Sequence, residues 1–117
     1  MFAPTDDEDT NLKMLAPSIA HLCARPKMFT ASGSYGEIEA YIEGFSHGAH
    51  RHGTRNPMDT FASWINDRHN LGLEIVDWRF AMKALYPEEE SRLEGFHKSF
   101  KAFCEEKDME FRFPRGL

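Results

Sequence analysis

Apolar residues recur at steps of three and four along most of the chain, which predicts helices rather than strands. The first stripe consists of Leu12, Leu15, Ile19 and Leu22. Pro17 interrupts it. Because proline suits the first turn of a helix and not its interior, the pattern predicts a helix over residues 17–24, after a looser turn. Residues 1–10 are polar and acidic, and we expect them to form a mobile lead-in.

A second helix is predicted from Ser34, because Glu37 stands three residues later and completes a capping box. Its apolar face consists of Ile38, Tyr41, Ile42 and Phe45. Its polar stripe consists of Glu39, Glu43 and His47, which recur every four residues. This spacing places the polar stripe opposite the core. Gly48 suits the position just after the helix.

Three more helices are predicted by the same signals. Asn56 can cap the third helix and Pro57 suits its first position. Residues 70–76 are expected to form an extended connection. Asp77 can then cap a fourth helix, and Pro87 is expected to open the fifth and longest one. Gly95 costs about 1 kcal/mol relative to Ala inside that helix, which a close approach by another helix would explain.

The chain as a whole is predicted to be all-α: one domain over residues 1–117, built as a single compact bundle of about five helices. The tail alternates Met109, Phe111 and Phe113 with charged residues, which favours a C-terminal extended arm. The predicted core consists of Ile38, Tyr41, Ile42, Phe45, Phe61, Trp64, Ile65, Phe96, Phe100 and Phe103.

The composition supports a folded protein that is not a general nucleic-acid binder. The chain has 117 residues, of which 41% are hydrophobic, with ten Phe, and this is enough for a real core. The net charge is -5, and the acidic run of residues 6–9 supplies four of these charges. The remainder is therefore close to neutral, whereas a general nucleic-acid binder needs a basic face.

Several sequence features favour a soluble, cytoplasmic protein. Cys23 and Cys104 lie in apolar helical patterns and are expected to be free, buried thiols, although one disulfide between them is possible. The N-terminus lacks the basic and apolar regions of a signal peptide. No apolar run approaches the ~20 residues that cross a bilayer. We therefore expect no membrane partner.

The segment FSHGAHRHGTR, residues 45–55, is the strongest candidate for chemistry. Three histidines at its centre could hold zinc, but two arginines place positive charge where a cation would bind, and no H-E-x-x-H pattern is present. Its glycines permit a phosphate-binding loop, but the nucleoside-triphosphate loop pattern is missing. No nucleophile elbow is present. We therefore expect no catalytic residue, no metal and no cofactor, and a surface loop.

This loop and the preceding polar stripe form a mixed-charge surface, which suits recognition of another protein. The predicted partner-binding residues are Glu39, Glu43, His47, His50, Arg51, His52 and Arg55. The favoured function is a non-enzymatic protein-binding module. The alternative is a small ligand- or metal-binding protein, conceivably an enzyme, that uses the loop between His47 and His52.

Three segments carry a resemblance: RPKMF, SYGEIEAYIEGF and PMDTFASWINDR, which together cover less than half of the chain. They resemble a group of small, mostly uncharacterised bacterial proteins with an R-P-x-M-aromatic turn, a helix ending in Gly-aromatic and an F-x-x-W-[IV] helix. The matching residues are Arg25, Pro26, Met28, Phe29, Gly44, Phe45, Phe61, Trp64 and Ile65. The resemblance implies an immunity protein that inhibits a cognate toxin. It implies no catalytic residue, and it implies packing roles for Met28, Phe29 and Trp64.

Overall fold

Six helices make up the computed structural model of this protein, which describes the backbone of residues 4–49 and 56–107 and the side chains of residues 11–48 and 56–107. The helices are α1 (Pro4–Ala24), α2 (Pro26–Phe29), α3 (Tyr35–Ala49), α4 (Pro57–His69), α5 (Trp78–Leu85) and α6 (Glu89–Glu106). These residues contain no strand. The all-α prediction is confirmed. The predicted C-terminal arm lies outside the described residues.

The first helix is longer than its sequence predicts. α1 begins at Pro4 and continues without a break through Pro17, so the predicted start at residue 17 is wrong, as is the looser turn predicted before it. Pro17 is exposed, while Leu15, Ala16 and Ile19 around it are buried. Packing of the apolar stripe thus offsets the hydrogen bond that proline cannot donate.

A short connection joins α2 to α3, and its last residue, Ser34, caps α3. α2 is a single helical turn, for which the sequence analysis predicted no helix. The backbone N–H of Glu37 donates to Ser34 Oγ at 3.3 Å, so this half of the predicted capping box is present. The Glu37 carboxylate instead accepts from the backbone N–H groups of Ala31 and Ser32, and from the Ser32 hydroxyl. α3 also continues past Gly48, which was predicted to follow it.

The later helices begin close to their predicted positions. Asn56 Oδ1 accepts from the Met58 N–H at 3.0 Å, and Asp77 Oδ1 accepts from the Arg79 N–H at 2.9 Å, so both predicted caps are confirmed. The predicted connection lies at residues 71–77; it is non-helical and bends at Glu74 and Ile75 instead of being extended throughout. α6 begins two residues after Pro87. Among the described residues, no helix combines the length and the hydropathy that crossing a membrane would require.

The core forms where α1, α3, α4, α5 and α6 meet. Phe61 of α4 lies at its centre, with ring centroids 5.4 to 5.9 Å from those of Phe96, Phe100 and Phe103. Trp78 is 2% exposed and packs on Phe96 at 5.2 Å. Burial of these large rings is the main source of stability.

Three residues of the predicted core are not fully buried. Tyr41 is 38% exposed and Phe45 is 36% exposed, while Trp64 is half-buried at the edge of the core. The other seven are buried. Because the first residue of α5 points into the core, the buried tryptophan is Trp78, whereas the sequence analysis predicted Trp64.

Candidate functional site

The polar stripe of α3 lies beside the core and not opposite it. The centre of the buried face is formed by Tyr35, Ile38, Ile42 and Ser46. Glu39 and Glu43 flank this face and are half-buried. The predicted position opposite the core is therefore wrong. Tyr41 and Phe45 were assigned to the buried face, which rotated the predicted helix away from its true orientation.

Glu43 and the first turn of α5 form a connected set of charges. Arg79 donates from Nε to Asp77 Oδ1 at 3.0 Å and from a terminal nitrogen to Asp77 Oδ2 at 2.7 Å. Arg79 Nε also lies 3.4 Å from Glu43 Oε2. The indole Nε1 of Trp78 donates to Glu43 Oε1 at 3.4 Å. His47 Nε2 lies 3.5 Å from the same oxygen. We call Glu39, Glu43, His47, Asp77 and Arg79 the charged edge.

Protonation equilibria in the charged edge follow from these contacts. Hydrogen bonds from Arg79 lower the pKa of Asp77, and the bond to Asp77 raises the pKa of Arg79, so this pair is firmly ionised. For Glu39, desolvation raises the pKa, although Arg79 and Arg92 act in the opposite direction. Burial therefore disfavours the charged form of Glu39, and groups with shifted pKa values concentrate at functional sites.

The structure brings together three of the seven predicted partner-binding residues. Glu39, Glu43 and His47 share one flank of α3, and His47 is the most accessible of them, with 67% of its side chain exposed. The remaining four lie outside the described residues: His50, Arg51, His52 and Arg55. Their predicted role is not tested. They follow the last residue of α3, Ala49, in the sequence.

Sequence reasoning missed the contribution of α5. Asp77 was assigned a capping role only, and Arg79 was not among the candidate residues. The Asp-x-Arg spacing is a local signal for the bidentate bond between them. The contact with Glu43, 36 residues away from Arg79 in the sequence, depends on how α3 and α5 pack, and a single sequence does not contain that information.

A second surface lies on the other flank of α3. The rings of Tyr41 and Phe45 are stacked at 6.2 Å, and Phe29 of α2 meets Tyr41 edge-on at 5.9 Å. We call these three residues the aromatic ridge. Phe29 is 37% exposed and Met28 beside it is 64% exposed, so the packing role implied by the resemblance is wrong for Met28 and only partly right for Phe29.

A further cluster of polar contacts lies at the C-terminal end of α6. Trp64 Nε1 donates to Glu106 Oε2 at 2.9 Å. Arg68 lies 3.4 Å from the same carboxylate, and its guanidinium carbon is 5.0 Å from the centroid of the Trp64 ring. The two contacts of Glu106 tie α4 to α6, and the contact between Arg68 and Trp64 lies within α4, which gives this cluster a sufficient structural role.

Other candidate chemistry is sparse in the part of the chain with described side chains. Cys23 and Cys104 are free, as expected, and burial raises the pKa of each to about 12, which makes both poor nucleophiles at neutral pH. Among these residues, no group of three or more His, Cys, Asp or Glu side chains is placed to hold a metal ion. The charged edge therefore remains the strongest candidate site there.

No family model, curated protein or solved structure matches this chain.

Proposed function

We propose that this chain is a non-enzymatic protein-binding module and that the charged edge is its contact surface. One observation carries the proposal: two carboxylates, Asp77 and Glu43, contact a guanidinium and hold it at the surface. Arg79 is fixed by Asp77 and Glu43, yet 39% of its side chain remains exposed. A charged group that needs no ordering before it binds a partner is well suited to recognition.

The balance of charge indicates what the partner would present. Glu39, Glu43 and Asp77 oppose two guanidinium groups, those of Arg79 and Arg92, which act on Glu39. With His47 counted as neutral, the carboxylates exceed the guanidinium groups by one, and burial disfavours the charged form of Glu39. A lysine or arginine side chain of a partner would supply the missing charge. The proposed complement is therefore a protein surface with a basic residue at its centre.

The finer proposal is an immunity protein that inhibits a cognate toxin. It rests on the resemblance of the segments that begin at Arg25, Ser34 and Pro57. Inhibition of this kind requires a rigid scaffold and a complementary surface, and no catalytic group.

The test is capture of a partner from the source organism, followed by affinity measurements with two matched variants. Glu43→Gln removes the charge but keeps an oxygen that can accept from Trp78. Glu94→Gln is the control, because Glu94 is a carboxylate paired with one cation, Lys98 at 3.3 Å, and both side chains are 73% exposed.

We expect Glu43→Gln to weaken binding at least tenfold, about 1.4 kcal/mol, and Glu94→Gln to leave it unchanged. Equal effects of the two variants would place the contact elsewhere, and failure to capture any stoichiometric partner would contradict the protein-binding proposal.

For the finer proposal, we expect the captured partner to arrest growth when it is expressed alone, and we expect growth to recover when this chain is co-expressed with it. A harmless partner would contradict the finer proposal.

A further inference from the structure

The outer face of α3 carries a row of small residues that the rest of the described structure does not require. Gly36, Ala40, Gly44 and Gly48 follow each other every four residues, so they share one face of the helix, and all are exposed. A Cβ added to any of these three glycines would meet no atom within 4 Å. Each glycine weakens the helix by roughly 0.5–1 kcal/mol relative to Ala. We call these four residues the small-residue groove.

The groove lies beside the aromatic ridge on the same helix. Tyr41 and Phe45 each follow a groove residue by one position, Ala40 and Gly44, so ridge and groove run side by side along α3. Ridges of large side chains pack into grooves on a facing helix. One surface that presents both a ridge and a groove is complementary to itself, because a twofold axis brings each ridge to the other copy's groove.

We infer that two copies of this chain associate through the outer face of α3, with the aromatic ridge of each copy in the small-residue groove of the other. This goes beyond the proposed function and uses a different flank of α3. The arrangement closes at two copies, because each copy offers one ridge and one groove.

The available apolar area matches such an interface. The aromatic ridge is between 36% and 38% exposed, and Met14 and Met28 are 60% and 64% exposed. Met28 adjoins Phe29, and Met14 lies one turn before Ser18, which lines a shallow cleft with Tyr41 and Phe45. If each of these five side chains has a total surface of about 200 Å², their exposed parts together amount to roughly 450 Å² of apolar surface. A stable interface buries about 800 Å² per partner, of which about 56–65% is apolar.

Charge also favours a second copy. The whole chain carries a net charge of -5, so two copies repel each other in general. On the outer face of α3, however, helical spacing places one carboxylate, Glu37, which bonds to the connection before α3, and one imidazole, His47, which borders the groove. The carboxylates Glu39 and Glu43 of the charged edge lie on the other side of the groove. Depletion of charge at the centre is characteristic of protein interfaces.

The test is sedimentation velocity of the full chain between about 1 and 500 µM, with two matched variants. Ala40→Arg places a charged side chain in the groove. Ala84→Arg makes the same change at an exposed position of α5. Circular dichroism of both variants checks that the helices are retained.

We expect the wild type to shift from the 13.5 kDa monomer to twice that mass as its concentration rises. We expect Ala40→Arg to weaken this association at least tenfold and Ala84→Arg to leave it unchanged. A wild type that stays monomeric throughout, or a dimer that the two variants affect equally, would overturn the inference. Should Ala40→Arg fail to fold, Gly44→Arg at the next position of the groove replaces it. Binding of another protein through the charged edge is a separate question. It is measured at about 1 µM, the lowest concentration of this series, and is tested by Glu43→Gln.

Discussion

Gly95 shows how one residue can be fixed by a contact from another element. The sequence analysis expected another helix to approach closely at this position; in the structure, a Cβ there would overlap the ring of Tyr86, the residue that follows α5. The helical periodicity of the sequence was enough to place Gly95 inside a helix. It could not identify Tyr86 as the approaching group, because that contact depends on how α5 and α6 cross.

We predict that Gly95→Ala lowers the free energy of unfolding by about 1–3 kcal/mol, as overpacking usually does, despite the higher helix propensity of Ala. Gly44→Ala is the control, and we expect it to raise that free energy by about 0.5–1 kcal/mol in the monomer. Urea denaturation at about 1 µM measures both. In a Tyr86→Ala background, the loss caused by Gly95→Ala should disappear, and a loss that persists would show that the ring is not its cause.

Glu39 gives a pH-dependent prediction. Its pKa is raised in the folded protein, mainly by desolvation, against opposing effects of Arg79 and Arg92. Folding therefore favours the protonated form, so the stabilising contribution of this group is complete below a pH of about 4.5 and is lost as the pH rises through the folded-state pKa.

Glu39→Gln keeps a neutral side chain at every pH. We expect it to unfold at a higher urea concentration than the wild type at pH 7.5, and we expect the difference to vanish near pH 4. A variant that is less stable than the wild type at pH 7.5 would show that attraction to the two arginines outweighs desolvation.

At the scale of elements, the chain specifies where most helices begin more clearly than how they face each other. The caps at Asn56 and Asp77 are local and were predicted correctly. The start of α1 was missed because Pro17 breaks the local rule, and its neighbours compensate through long-range packing. The orientation of α3 was wrong because Tyr41 and Phe45, counted as core, are partly exposed.

The two tryptophans test this packing directly. Trp78 is fully buried at the start of α5, so Trp78→Ala should cost about 3–5 kcal/mol of unfolding free energy. Trp64 is half-buried and bonds to Glu106, so Trp64→Ala should cost clearly less, about 1–2 kcal/mol. Denaturation of the two variants at matched pH compares them. The reverse order would show that α4, and not α5, supplies the buried ring.

For the whole molecule, α3 separates two surfaces with different proposed tasks. Its Glu43 flank joins α5 in the charged edge, while its Tyr41 flank presents the aromatic ridge. Candidate residues Glu39, Glu43 and His47 could be selected from the sequence because their spacing is helical. Their connection to Arg79 could not, because it depends on the packing of α5 against α3.

The central claim, that partners bind at the charged edge, is tested most directly by the two indole N–H signals in a proton–nitrogen correlation spectrum. The Trp78 indole donates to Glu43 within the charged edge, whereas the Trp64 indole donates to Glu106 in the separate cluster between α4 and α6. During titration with the captured partner, we expect the Trp78 indole signal to shift and the Trp64 indole signal to stay in place. A shift of the Trp64 signal alone, with the Trp78 signal unchanged at saturation, would contradict it.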